Sequence, residues 1–90
     1  MKAIVLRETG APDRLELGEV PDPEPGPGEI VVRVKAAGVN FADVLVRQGR
    51  YPQPPELPTV PGSEVAGEAD GRRVMALPRG GGYAEAIAVD

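Results

Sequence analysis

The side chains best suited to bind a ligand lie around one predicted corner of the chain. Asn40 is the only asparagine, and it stands where a strand is predicted to give way to a helix, so its amide can cap that helix or donate into a cleft. Asp43 lies one turn further on, and Tyr51 follows in the next loop. Each residue also has a purely structural alternative: Asn40 as a helix cap, and Tyr51 as a ring packed against prolines. We predict a cleft lined by Asn40, Asp43 and Tyr51.

The absence of cysteine and histidine limits the kinds of metal site and catalytic site that the chain can form. The chain contains no cysteine and no histidine, which removes the usual ligands of zinc, copper and iron–sulfur sites and excludes a disulfide framework. A Ser–His or Cys–His nucleophile cannot be assembled, and Ser63 is the only serine. Acid–base chemistry is left to Asp, Glu, Lys and Tyr side chains. We therefore expect no metal site.

Charge and hydropathy exclude two classes of partner. Ten basic and fourteen acidic residues give a net charge of −4, and no basic run is longer than Arg72–Arg73, so nucleic acid is not an expected partner. No apolar run approaches the ~20 residues of a membrane span, and we expect a cytoplasmic location. Arg47 and Arg50 are interpreted as surface charges, with the alternative that such a pair beside a pocket attracts an anionic cofactor.

Short apolar segments separated by glycine and proline predict a mainly β fold. The chain has 12 Gly and 11 Pro, which we interpret as turn residues between strands. Strands are predicted at residues 2–6, 14–20, 29–37, 63–69, 72–77 and 83–89. Alternation in the second strand places Leu15 and Leu17 on one face and Glu16 on the other, as in a half-buried antiparallel strand.

A single short helix is predicted after Asn40. Phe41, Val44 and Leu45 follow helical spacing, and Gly49 provides a stop. Asp43 at the third helical position can reach back to the cap. Six short strands and one helix indicate one domain over residues 1–90, a small and partly open antiparallel barrel.

Two glycine-rich segments invite comparison with nucleotide-binding loops. Neither Gly26–Gly28 nor Gly80–Gly82 is predicted to follow a strand and open a helix, and neither completes a phosphate-binding motif. We interpret both segments as turns. The sequence therefore predicts no phosphate cradle.

The order of several motifs resembles a known family. MKAIVL, EIVVRVKAAGVNFADVLVRQGRYP, PTVPGSEVAGE and GRRVMALPRGGGYAEAIAV follow one another along the chain. In this order they resemble the N-terminal GroES-like domain of medium-chain dehydrogenases/reductases, most of all the zinc-independent quinone oxidoreductases related to zeta-crystallin. Zinc-dependent members carry Cys where this chain has Asn40 and His where it has Ser63.

The resemblance implies NADPH-dependent reduction of quinones or α,β-unsaturated carbonyls by hydride transfer. Asn40, Asp43 and Tyr51 match positions that line the active-site cleft of such enzymes, with Asn40 on the nicotinamide side. A tyrosine often found on the helix of the family is Leu45 here. The polarity of the pocket is therefore expected to differ from the family pattern.

Family members also contain a Rossmann nucleotide-binding domain, which these 90 residues lack. We expect the chain to form the substrate-side wall of a cleft, to bind no NADPH by itself and to be inactive alone. A Rossmann domain acting in trans and a homodimer formed through exposed edge strands are possible partners. The alternatives are a GroES-like interaction or assembly module, and a small-molecule-binding scaffold without catalysis.

Overall fold

Short strands joined by glycine- and proline-rich loops make up most of the structure, a computed structural model that describes all 90 residues. The strands are β1 (Lys2–Leu6), β2 (Leu15–Glu19), β3 (Ile30–Ala37), β4 (Val65–Ala69), β5 (Arg72–Ala76) and β6 (Ala86–Val89), with one α-helix, α1 (Phe41–Gln48), and a single 3₁₀ turn at Pro12–Arg14. The prediction of a mainly β fold with one short helix is confirmed.

The strands form two open antiparallel sheets. β1 pairs with β2, and the other four strands follow the order β5-β4-β3-β6. Isolated bridges connect β1 to segments that flank the larger sheet: Ala3 to Ala84, just before β6, and Leu6 to Thr59, in the loop before β4. The sheets therefore approach a barrel without closing into one, as the sequence predicted.

A small aliphatic core lies between the sheets. Only 11 of the 90 residues are buried, and the largest fully buried side chains are Leu6, Val32 and Val65. Leu6 and Val5 are both buried although they are consecutive. The reason is that Leu6 exchanges two backbone hydrogen bonds with Thr59, at 2.8 and 3.0 Å, so the loop covers the second face of β1.

The predicted orientation of β2 is wrong. Leu17 is 68% exposed and Leu15 is only half-buried. Residues opposite each other in a ladder share a face, and β1 turns Ala3 and Val5 toward the core. Their partners Gly18 and Glu16 therefore share that face, while Leu17 lies opposite Ile4 on the other.

The helix begins and ends where its sequence signals lie. Asn40 is the N-cap in extended conformation, and Gly49 ends the helix with a left-handed φ of 75°. Phe41 departs from the pattern, because its ring is 74% exposed rather than packed with Val44 and Leu45. The longest helix has eight residues, and none is long and apolar enough to cross a membrane.

Candidate functional site

An open cleft of about 770 Å³ lies beside the start of α1. Its walls are the first turns of the helix, the proline-rich loop after Gly49, and two segments around residues 59–64 and 77–80. The structure brings Asn40, Asp43 and Tyr51 together here, and all three line the cleft. Apolar surface is supplied by Val46, Val60, Pro61, Leu77 and Pro78. The cleft thus combines an apolar wall with a few polar groups, as small-molecule sites do.

Asp43 is the only charged residue that the fold buries, with 9% of its surface exposed. Its Oδ2 accepts a hydrogen bond from the Asn40 backbone N–H at 2.9 Å and another from the Tyr83 hydroxyl at 2.7 Å. No buried side-chain oxygen or nitrogen in the chain lacks a partner. Oδ1 has none within the chain, so it is open to solvent and available as an acceptor.

Tyr83 does not line the cleft but holds Asp43, a role that the sequence did not predict. The sequence predicts Tyr83 as the first residue of a strand, yet it lies before β6 and its hydroxyl reaches 40 residues back along the chain to Asp43. Burial, and then the hydrogen bond to the Asp43 carboxylate and its negative charge, raise the pKa of Tyr83 above its usual value. Tyr83 is therefore a protonated donor at neutral pH. Its place directly after the glycine run was the available signal.

Two loops hold Tyr83 in position, and we call residues 60–62 and 81–83 together the glycine clamp. The backbone N–H groups of Gly81, Gly82 and Tyr83 donate to the carbonyls of Val60, Gly62 and Pro61 at 2.7, 2.9 and 3.0 Å, respectively. The segments approach so closely that a Cβ on Gly62 would lie 2.7 Å from Tyr83 Cδ1. The predicted turn at Gly80–Gly82 is therefore also a packed contact.

The remaining predicted residues are more exposed. Asn40 is exposed at the cleft, and Tyr51 is 38% exposed at its rim. Ser63 lines the cleft as well, whereas Leu45 does not. No group of three His, Cys, Asp or Glu side chains in the chain could hold a metal ion.

The structure contradicts the alternative in which Arg47 and Arg50 form a cationic pair beside a pocket. Neither Arg47 nor Arg50 lines the cleft. Arg47 instead donates to the backbone carbonyl of Gly10, which ties the end of α1 to the loop after β1. The basic side chain that does line the cleft is Arg79.

The cleft can orient a small polar molecule but contains no redox group of its own. Asn40, Tyr51 and Ser63 offer hydrogen-bond donors, and Asp43 offers an acceptor. Donors fixed beside a carbonyl oxygen stabilise negative charge as it develops there. Binding and polarising a conjugated carbonyl compound is therefore within reach of these residues.

Comparisons with known proteins agree on one family. Residues 26–90 match the family described as alcohol dehydrogenase GroES-like domain. The chain is 40% identical over 98 residues to the mouse synaptic vesicle membrane protein VAT-1 homolog-like, covering 97% of this chain and 24% of that protein. It is 41% identical over 104 residues to a quinone oxidoreductase of Lama guanicoe, covering 100% of this chain and 32% of that protein.

A solved structure shares the fold. The quinone oxidoreductase of Thermus thermophilus, also solved in complex with NADPH, is similar with a TM-score of 0.91 and 50% identity, over 99% of this chain and 30% of that one. The chain thus spans between a quarter and a third of the length of these relatives.

Proposed function

The chain belongs to the alcohol dehydrogenase GroES-like domain family, and from that premise we propose that it is the substrate-side domain of a zinc-free, NADPH-dependent quinone oxidoreductase. The observation that carries the proposal is the cleft in which Asn40, Asp43 and Tyr51 meet an apolar wall. The relatives named quinone oxidoreductase support it. The substrates would be quinones or α,β-unsaturated carbonyl compounds.

In this proposal the chain binds and orients the substrate. The Asn40 amide and the Tyr51 hydroxyl donate toward a carbonyl oxygen, and the apolar wall around Val60 and Pro61 packs against the ring. Asn40 would also face the nicotinamide. NADPH supplies the hydride when it is bound.

The residues present do not fit the phosphates of a dinucleotide. The amides of Gly81, Gly82 and Tyr83 already donate to carbonyls of the glycine clamp, so Gly80 is the one glycine of this run whose N–H is free, whereas a phosphate cradle needs several adjacent free N–H groups. We therefore assign the nucleotide to a Rossmann unit outside these 90 residues, in the same polypeptide or in trans. NADPH would not bind to this chain alone.

Titration of the ¹⁵N-labelled chain with 1,4-naphthoquinone tests the substrate side. We expect chemical-shift changes at Asn40, Asp43 and Tyr51, and weaker binding by Asn40→Ala. The matched control is Gln48→Ala, because Gln48 is exposed on the same helix but does not line the cleft. Shifts confined to residues away from the cleft would contradict the proposal.

An assay of NADPH oxidation tests whether NADPH is bound by a unit other than this chain. With a quinone present, the 90-residue chain alone should give no turnover. Activity should appear when the nucleotide-binding part of the Thermus thermophilus enzyme is added as a separate polypeptide. Robust turnover by the purified chain without any second polypeptide would refute the assignment of NADPH to another unit.

A further inference from the structure

Arg79 is the only basic side chain that lines the cleft. Its guanidinium has no carboxylate within ion-pair distance and no hydrogen-bond acceptor in the chain, whereas Arg7, Arg14 and Arg33 each pair with a glutamate. A guanidinium stays charged at any physiological pH and is well suited to planar anions such as a carboxylate. Arg79 is therefore a positive charge in the cleft that has no ion-pair partner within the chain.

Neither of the two acidic residues that line the cleft forms an ion pair with Arg79. Asp43 Oδ2 accepts hydrogen bonds from the Asn40 backbone N–H and the Tyr83 hydroxyl. Glu64 is turned toward the segment that precedes the helix, where its carboxylate fills the space that a Cβ on Gly38 would occupy. Glu64 is thus directed to another neighbour, Asp43 is held through Oδ2, and neither carboxylate forms an ion pair with Arg79.

The backbone around Arg79 is held in place. Pro78 precedes it and restricts the chain on that side. Gly81 and Gly82 follow it and belong to the glycine clamp, whose hydrogen bonds attach them to the opposite loop. The charge is therefore carried by a fixed segment at the edge of the apolar wall, rather than by a free loop.

We propose that Arg79 forms an anion-binding subsite of the cleft, which favours quinone or enone substrates that carry a carboxylate or sulfonate on the ring system. This inference rests on the proposed function, since the ring must first bind beside Asn40 and Tyr51. Exposed ion pairs contribute little in water, so the expected preference over a neutral analogue is roughly two- to fivefold in Kd at low salt. The preference should shrink as salt screens the charge.

The test compares two ligands of nearly equal shape by NMR titration of the ¹⁵N-labelled chain. Anthraquinone-2-sulfonate carries the anion, and 2-(hydroxymethyl)anthraquinone is its neutral counterpart. The sulfonate should bind more tightly to the wild type, with shifts at Gly80 and Gly81 that the neutral ligand does not cause. Arg79→Gln should remove the difference and leave the Kd of the neutral ligand unchanged.

Arg72→Gln is the matched control, because Arg72 is an exposed arginine of β5 with no ion pair and lies outside the cleft. It should keep the preference. A salt series on the wild type gives the same answer without any substitution, since only the sulfonate should weaken between about 20 and 300 mM NaCl.

The outcomes separate the two proposals. Equal affinity of the wild type for both ligands, or an unchanged preference in Arg79→Gln, overturns the subsite while the proposed function stands. Binding of neither ligand overturns both. NADP⁺ and inorganic pyrophosphate are titrated separately, and if they bind at Gly80 more tightly than the sulfonate, the charge serves a nucleotide phosphate and the substrate preference is refuted.

Discussion

The two carboxylate oxygens of Asp43 differ in their surroundings. Oδ2 accepts hydrogen bonds from the Asn40 backbone N–H and the Tyr83 hydroxyl, so two donors from different parts of the chain fix the orientation of the carboxylate. Oδ1 has no partner in the chain and is left as a free acceptor of a residue that lines the cleft. Because the carboxylate is already held, a ligand that bonds to Oδ1 does not have to immobilise it, and less affinity is lost to ordering.

Removing the Tyr83 hydroxyl should destabilise the fold without changing its side-chain shape. Tyr83→Phe leaves Oδ2 of Asp43 with one donor fewer, and a hydrogen bond to a charged group is worth about 1.5 to 3 kcal/mol. We expect a loss of about 1 to 3 kcal/mol in the free energy of unfolding, measured by urea denaturation. Tyr51→Phe is the control, since that hydroxyl has no partner in the chain, and an equal loss there would contradict the assigned role of Tyr83.

Because of the hydrogen bond between Tyr83 and Asp43, we expect the free energy of unfolding to depend on pH in the alkaline range. Burial and the neighbouring carboxylate raise the pKa of Tyr83 in the folded chain, whereas a tyrosine in the unfolded chain titrates at about pH 10. The folded state thus keeps a proton that the unfolded state loses. The stability that Tyr83 contributes is fully present below about pH 10 and decreases as the pH rises above it.

This pH dependence can be measured with a single chromophore. The chain has two tyrosines, so in Tyr51→Phe the tyrosinate absorbance reports Tyr83 alone. We expect little tyrosinate at about pH 10 while the chain is folded, and a lower titration midpoint after Asp43→Asn. Half-complete ionisation of Tyr83 at about pH 10 in the folded chain would show that the contact is absent.

At the level of elements, the glycine clamp joins the loop before β4 to the loop before β6. Gly62 has a φ of 106°, and a Cβ there would meet Tyr83 Cδ1 at 2.7 Å and Tyr83 N at 2.8 Å. Gly62→Ala should therefore combine backbone strain with a steric clash and cost at least about 2 kcal/mol in the free energy of unfolding. The measurement is again urea denaturation.

Gly80 provides the control for this substitution within the neighbouring loop. A Cβ on Gly80 would come no closer than 3.5 Å, to the carbonyl oxygen of Val60, so Gly80→Ala should change the stability by less than about 0.5 kcal/mol. Similar losses for the two alanine variants would mean that the close approach of the loops does not contribute to stability.

Local sequence patterns predicted the elements well because periodicity and turn residues act over a few residues. The helix from Phe41 to Gln48 followed its cap and its glycine stop, and the strand positions agree within a few residues. The predicted orientation of β2 was wrong because pairing with β1, and not the alternation within β2 itself, decides which face of the sheet Leu17 occupies. The contact between Tyr83 and Asp43 could not be predicted, since it depends on how two distant loops pack.

At the level of the whole molecule, the four-stranded sheet ends in β5, which has no partner on its outer side. An unpaired strand edge can add a strand from another molecule. Met75 on β5 is 79% exposed. We therefore expect weak, concentration-dependent dimerisation through β5, measured by light scattering at millimolar protein.

A lysine at the edge should oppose this association. Met75→Lys places positive charges close together in a β5–β5 dimer, beside Arg72 and Arg73, and should weaken dimerisation by about tenfold. Leu17→Lys is the control, because Leu17 is also exposed but lies on β2 of the other sheet. A wild-type chain that stays monomeric at the highest concentrations would refute the expectation.

The backbone bonds of Tyr83 have a consequence for the order in which the cleft can form during translation. Its carbonyl accepts the N–H of Ile4 at 2.8 Å, and its N–H donates to Pro61, so a late residue completes contacts with the first strand and with the middle of the chain. Synthesis runs from the amino end. A nascent chain can form α1 early, but the buried Asp43 carboxylate gains its second hydrogen-bond donor, the Tyr83 hydroxyl, only after residue 83 has left the ribosome.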